Sequence, residues 1–302
     1  MISLNGKKVL NRLIMLFIII NIILVILNII ADSTRYILTK DRMQNISLVL
    51  NNRGVTIESP LPINFEPRAS INIVYEVSTT SIRDKITKKM FGDNLAGVLR
   101  STKESDKYNG VKYYQFNKGQ EMLSFERHEI GYINKAINTQ TKGLSKSLAK
   151  KHGDGFISRI GMQEIYKLPY IEYEEIDNYI RIKYYPTIEG VPVDDINITM
   201  DIYEKGVNKA ILTLARVEYI EDSYREIIPV DRVLFGIDRY IYDIIQDFKG
   251  DICITDIKLV YKKQNLEGYN LWGEKNIPMY KMSIRGLEKS IFVNAYTNDY
   301  IR

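Results

Sequence analysis

The chain is poor in the residues that build metal and redox centres. Its 302 residues include one cysteine, Cys253, and two histidines, His128 and His152. One cysteine excludes an intrachain disulfide. It sits in an apolar run, the setting of a buried thiol and not a reactive one. His128-Glu129 begins like a zinc helix, but Tyr132 stands where the second histidine is required. Two distant histidines and one cysteine do not make a zinc set, so no metal and no cofactor is expected. Tryptophan occurs once, and glycine (18) and proline (8) are scarce, which leaves no low-complexity linker. There is no G-x-S-x-G elbow, no P-loop and no glycine-rich dinucleotide turn. A nucleic-acid footprint is missing as well. Of the 42 basic residues, Lys7, Lys8 and Arg12 lie in a short N-terminal tail, and the other 39 are interspersed with 37 acidic ones. That is a solvated surface.

The chain does have one long apolar run. Residues 13–31 carry no charge and follow the basic tail directly. The run is long enough to cross a bilayer as a helix. The positive-inside rule makes Lys7, Lys8 and Arg12 the topology determinants: 1–12 is a cytoplasmic tail, 13–31 the transmembrane helix, and the rest lies outside. A cleaved signal needs small residues at −3 and −1. With Ala31 at −1, the −3 position is the bulky Ile29, so the run reads as an uncleaved anchor. Within it, Asn21 and Asn28 stand seven residues apart and share one helix face. An amide in hydrocarbon is costly unless bonded, and neighbouring helices usually supply the bond. The pair is therefore a candidate contact with another membrane helix. The alternative is that each amide is tolerated singly.

The outer part, with apolar residues at 45% and aromatics at 11% of the chain, is rich enough for a packed core. Two units are expected, 36–135 and 136–302. In the first, Thr39 caps a helix that ends at Gly54, followed by strands over 55–57 and 71–77 and a helix over 82–91. Strands over 111–116, 122–125 and 130–133 complete it. In the second, a helix over 141–152 ends at Gly153. Strands over 179–185, 196–203 and 210–219 follow. Pro229 and Asp231 open a helix with apolar face Val233, Ile237, Ile241, Ile244 and Phe248, closed by Gly250. Strands over 253–261, 279–284 and 290–295 finish the chain. The class is α+β, with antiparallel sheets each covered by a helix. The tyrosine-rich 179–185 is either a core strand or a contact patch.

Two patterns suggest catalysis. Ser147-Leu148-Ala149-Lys150 matches the S-x-x-K of penicillin-binding enzymes, in which the amine activates the hydroxyl, but the companion S-D-N and K-T-G segments are missing. Carboxylate clusters, Glu172 to Asp177 and Asp194-Asp195, could cut glycosidic bonds. Spacing alone does not show that two carboxylates flank one substrate, so the clusters read as solvated strand ends, and no catalytic residue is assigned.

The order of several segments resembles the YycI/YycH family, and YycI more than YycH. These are single-pass accessory proteins of the WalK/WalR (YycG/YycF) two-component system of Gram-positive bacteria. The similar segments are Ile20-Asn21-Ile22-Ile23-Leu24 in the anchor, Tyr36-Ile37-Leu38-Thr39, and Leu50-Asn51-Asn52-Arg53-Gly54-Val55-Thr56-Ile57. At the end, Ile277-Pro278-Met279-Tyr280-Lys281-Met282 and Phe292-Val293-Asn294-Ala295-Tyr296-Thr297 resemble the closing strands of YycI and of PepSY-like modules. The family places glycine after that threonine. Here it is Asn298, a residue that tolerates the left-handed turn.

The resemblance implies a non-catalytic regulator that binds the sensor histidine kinase through its membrane helix and outer domain, alongside a YycH-like partner. It also implies control of cell-wall metabolism. The rival expectations are an anchored cell-wall hydrolase and a PepSY-like module that binds a peptide or protease. An uncleaved anchor predicts that the protein resists alkaline extraction of membranes at its full 35.1 kDa mass. Loss of the segment ending at Ala31 would instead mark a signal peptide.

Overall fold

The computed structural model describes residues 3–105, 110, 112–137, 144–237, 252–264 and 273–301. The apolar run lies in α1 (Ser3–Thr34). Its most apolar stretch, Lys8–Ile29, has 22 residues, about 33 Å of helix at 1.5 Å per residue and enough for a bilayer core. Its side chains are exposed, Phe17 by 68%.

α2 (Lys40–Asn51) starts at Thr39, whose hydroxyl accepts from the Arg42 amide as an N-cap. β1 (Val55–Ile57) follows Gly54, which turns the chain at φ 74°. β2 (Ile71–Tyr75) alternates buried and half-buried residues. α3 (Thr80–Phe91) is capped by Thr79 and stops before Gly92. β3 (Leu99–Glu104), β4 (Lys112–Lys118), β5 (Glu121–Glu126) and β6 (Glu129–Asn134) form an antiparallel meander.

α4 (Lys146–Ile160) leads into β7 (Tyr170–Ile176) and β8 (Tyr179–Tyr185). A small hairpin of β9 (Thr187–Ile188) and β10 (Val191–Pro192) follows. Then come β11 (Ile198–Tyr203), β12 (Gly206–Thr213) and β13 (Ala215–Ile220). α5 (Val230–Phe235) precedes β14 (Ile252–Lys263), β15 (Glu274–Ile284), β16 (Ile291–Asn294) and β17 (Tyr300–Ile301). The last turn uses Asn298 at φ 63°, with its amide donating to the Asn294 carbonyl at 2.9 Å. Asparagine thus adopts the left-handed conformation that this turn requires.

The elements make a large α+β region with two main sheets. The eight-stranded sheet runs β3-β4-β5-β6-β12-β11-β8-β7. One core cluster joins it to α3 and α4, with Met90, Phe156 and Ile160 among Leu123, Ile182 and Met200. The seven-stranded sheet contains β1, β14, β15, β16 and β17, with β2 and β13 attached through β15. Its cluster packs Leu50 of α2 and Leu234 of α5 among Ile257, Tyr280 and Val293. Every pairing between strands of these two sheets is antiparallel except β1 with β14.

Four expectations need correction. The division near Ala136 does not follow the sheets, because β6 pairs with β12 and one sheet takes strands from both sides of it. The strand expected over 210–219 is two strands in different sheets, with Leu214 between them. The Leu214 amide donates to the His128 carbonyl, and its carbonyl accepts from the Glu76 amide. β3 and β7, both polar edge strands, were not expected. Gly153 lies inside α4 instead of ending it, and Gly161 at φ 77° ends it. Of the helix expected to reach Gly250, residues 238–250 lie outside the described residues.

Gly153 is inside a helix because a Cβ there would stand 2.6 Å from the Tyr184 hydroxyl and 3.2 Å from the Met200 methyl. Helix propensity alone would favour alanine by about 1 kcal/mol. Overpacking costs about 1–3 kcal/mol. Gly153→Ala should therefore lower the thermal midpoint, and a raised midpoint would refute the packing account.

Candidate functional site

Asn21 and Asn28 both lie on α1 with exposed side chains. One amide proton of Asn21 is donated to the Phe17 carbonyl at 2.9 Å, inside its own helix. Its remaining amide capacity is open to a second helix. Lys8 and Arg12 are exposed on the N-terminal turns, and the Lys7 side chain lies outside the described residues.

The segment directly after α1 is tied to the sheet region within five residues. Arg35 and Tyr36 both reach Glu226, at 3.3 and 3.4 Å. The Leu38 amide donates to the Ile63 carbonyl at 2.7 Å, and the Phe65 amide donates to the Tyr36 carbonyl at 2.9 Å. Leu38 is buried, and the Tyr36 and Phe65 rings meet edge to face at 5.9 Å. Arg42 then forks onto both carboxylate oxygens of Asp231, at 2.9 and 2.8 Å, which ties α2 to the start of α5.

The catalytic candidates are engaged elsewhere. Lys150 pairs with Asp154 at 2.6 Å, four residues along the same helix, and Asp154 also accepts from Tyr184. His128 is buried against Tyr75. His152 contacts the Glu204 carbonyl. Cys253 is a buried free thiol. Among the described residues no three metal-ligating side chains come together. Of the tyrosine-rich strand, Ile180, Ile182, Tyr184 and Tyr185 are buried, the arrangement of a core strand.

Asp194 and Asp195 overturn the expectation of solvated strand ends. Their side chains are only 10% and 8% exposed. Lys262 reaches Asp194 at 3.1 Å and Asp195 at 2.5 Å, and Lys281 reaches Asp194 at 2.7 Å. Asp195 also accepts from the Lys263 amide. Burial pushes the Asp194 carboxyl up, but Lys262 and Lys281 outweigh burial and hold it below the ordinary carboxylate range.

Beside this clamp a polar cleft of about 620 Å³ opens between the two sheets. One wall is β7 and β8, where Glu172 stands directly opposite Lys183 and Glu174 opposite Arg181. The other is β14 and β15, where Lys258 stands opposite Lys281 and Asp256 opposite Ser283. Glu172 crosses the cleft to Lys258 and accepts from the Tyr185 hydroxyl at 2.9 Å. Burial first, and then the charge of Lys281, draws the Lys258 ammonium down to about 8. Sequence reasoning did not select these lysines. The signal available was Lys258 and Lys262, two lysines four residues apart and so on one face of the strand.

No protein-family profile and no curated protein matches the chain. Among solved structures it is similar to an uncharacterized protein from Eubacterium rectale ATCC 33656. The TM-score is 0.58 at 12% identity, over 82% of this chain and 91% of that one. It also matches the C-terminal domain of YpeB from Bacillus megaterium, with a TM-score of 0.42 at 11% identity over 75% of this chain and 96% of that one. YycH from Bacillus subtilis matches with a TM-score of 0.43 at 12% identity, over 80% of this chain and 54% of that one. The first likeness is one of fold, and the other two are looser.

Removing one partner of a buried charge pair costs about 3–5 kcal/mol. Asp194→Asn should therefore lower stability by roughly 3 kcal/mol in denaturant titration. Because the folded carboxyl is depressed, its contribution is present above its unfolded pKa and is lost as pH falls through the folded one. The gap between Asp194→Asn and the natural protein should close in acid, and an unchanged gap would refute the assignment.

Proposed function

We propose that the chain is a single-pass, non-catalytic regulator of a sensor histidine kinase in the cell envelope. Its N-terminus lies in the cytoplasm and its two-sheet region outside. The observation that carries this reading is the pinned junction. Five residues with backbone and side-chain ties on both sides join α1 to the outer region, so a displacement of one is passed to the other. A flexible tether would serve an anchored enzyme equally well, whereas a stiff joint serves a device that transmits. The Asn21 and Asn28 face supplies the contact with the kinase's own membrane helices. The outer region biases that contact between two arrangements, and the coupling is reciprocal. The resemblance of the anchor and closing strands to YycI supports the kinase as partner, with a YycH-like protein beside it and cell-wall metabolism as the output. The engagement of Lys150 by Asp154 gives no support to the hydrolase alternative.

The test is affinity purification from detergent-solubilised membranes of the native host. The natural chain should recover a membrane histidine kinase. Interhelical bonds of this kind contribute about 0.6–2 kcal/mol each. The Asn21→Leu, Asn28→Leu double variant should therefore cut recovery severalfold while inserting normally. A glycine-serine insertion after Thr34 should keep the kinase bound and abolish its modulation. Unchanged recovery with the double variant removes the helix contact, and full modulation with the insertion removes the transmission role.

A further inference from the structure

We propose that the cleft between β7–β8 and β14–β15 is a binding site for a ligand carrying a phosphate or carboxylate group. The group would be seated among Lys183, Lys258 and Lys281. This site stands whether or not the chain acts on a kinase.

The placement of charge supports it. Five lining side chains are basic and three acidic, so the cleft is net positive in a chain whose outer surface is nearly balanced. The basic groups are not equally committed. Lys281 is tied to Asp194, and Arg181 to Asp201 at 2.7 Å. Lys183 is half-buried and makes no ion pair among the described residues. It stands directly opposite Glu172, which already serves Lys258 and Tyr185. Glu172 is thus shared, and Lys183 keeps an ammonium that no carboxylate engages among the described residues. Burial first, and then the neighbouring charge of Lys281, lowers the Lys258 pKa to about 8, so a bound anion would be drawn to both ammonium groups.

Hydroxyl groups complete the site. Ser283 and Ser290 lie 3.2 Å apart on the β15 side of the cleft and can turn toward an oxyanion. The volume, about 620 Å³, far exceeds one oxyanion. The body of the ligand would then lie along Tyr170 and the backbone of the edge strand β7. Glu172 mimics the ligand's group. A bound oxyanion would compete with it for Lys258 and so act on the ion pair that crosses between the sheets.

The test uses the full chain in detergent micelles, with inorganic phosphate, succinate and sodium chloride at matched ionic strength. A ligand that binds the folded state raises the unfolding midpoint by mass action. Phosphate or succinate should raise it beyond chloride, and the stronger of the two identifies the group. A hydrogen bond to a charged group is worth about 1.5–3 kcal/mol. Lys183→Gln should therefore weaken binding by roughly tenfold or more while leaving the unliganded midpoint unchanged. Glu172→Gln removes the competing carboxylate and should tighten binding severalfold. The proposal is overturned if neither anion exceeds chloride, if Lys183→Gln binds as well as the natural chain, or if Glu172→Gln binds no more tightly.

Discussion

A carboxylate buried between two ammonium groups, Asp194 between Lys262 and Lys281, holds the segment after β10 onto the β14–β15 pair. Charges of this kind are expensive to bury, and their attraction compensates only when every lone pair and proton is satisfied. Here the accounts are nearly complete. Asp195 takes Lys262 and the Lys263 amide, and the Asp194 amide donates to the Tyr261 carbonyl. The clamp fixes Val193 beside Tyr261, and both belong to the cluster that also holds Ile71, Ile73 and Ile196. That cluster joins β2 of one sheet to the segment that leads into β11 of the other. The spacing of the two sheets, and with it the cleft, depends on this contact.

The same logic of two-sided attachment recurs at Leu214 and at the anchor. Leu214 bonds to His128 on one sheet's side and to Glu76 on the other's, so the chain passes between sheets without a free linker. At the anchor, Leu38 is buried and its amide is used by Ile63. The two sheets and the segments between them are therefore pieces tied at their joints, and the segment after α1 is tied in the same way. A ligand in the cleft would act on Glu172 and Lys258, a cross-sheet tie beside the clamp. This gives a structural route from the cleft to the sheet pairing.

The elements legible in the sequence share a local cause. Thr39 caps a helix because its hydroxyl can reach the amide three residues on. β2 and the hairpins around β5 alternate because one face is buried. Asn298 turns the last hairpin because its side chain tolerates positive φ. The illegible parts have non-local causes. β3 is exposed at every residue, so no apolar period marks it. Gly153 looks like a helix stop until Tyr184 is seen packed against it. Residues 206–220 form a continuous apolar-rich run, and nothing within them says that Leu214 changes sheets.

By itself the sequence determined one long apolar N-terminal helix, the α+β class, the Thr39 cap, the Asn298 turn and the poverty in metal-ligating and thiol side chains. Each follows from the chemistry of neighbouring residues or from composition. Tertiary structure alone decided that Asp194-Asp195 is a buried clamp and not a solvated strand end. It alone decided that Lys183, Lys258 and Lys281 share one cleft. The reason is separation along the chain. Asp194 meets Lys281 across 87 residues, and Glu172 meets Lys258 across 86. The burial that sets the strength of a charge pair comes from elements remote from both partners.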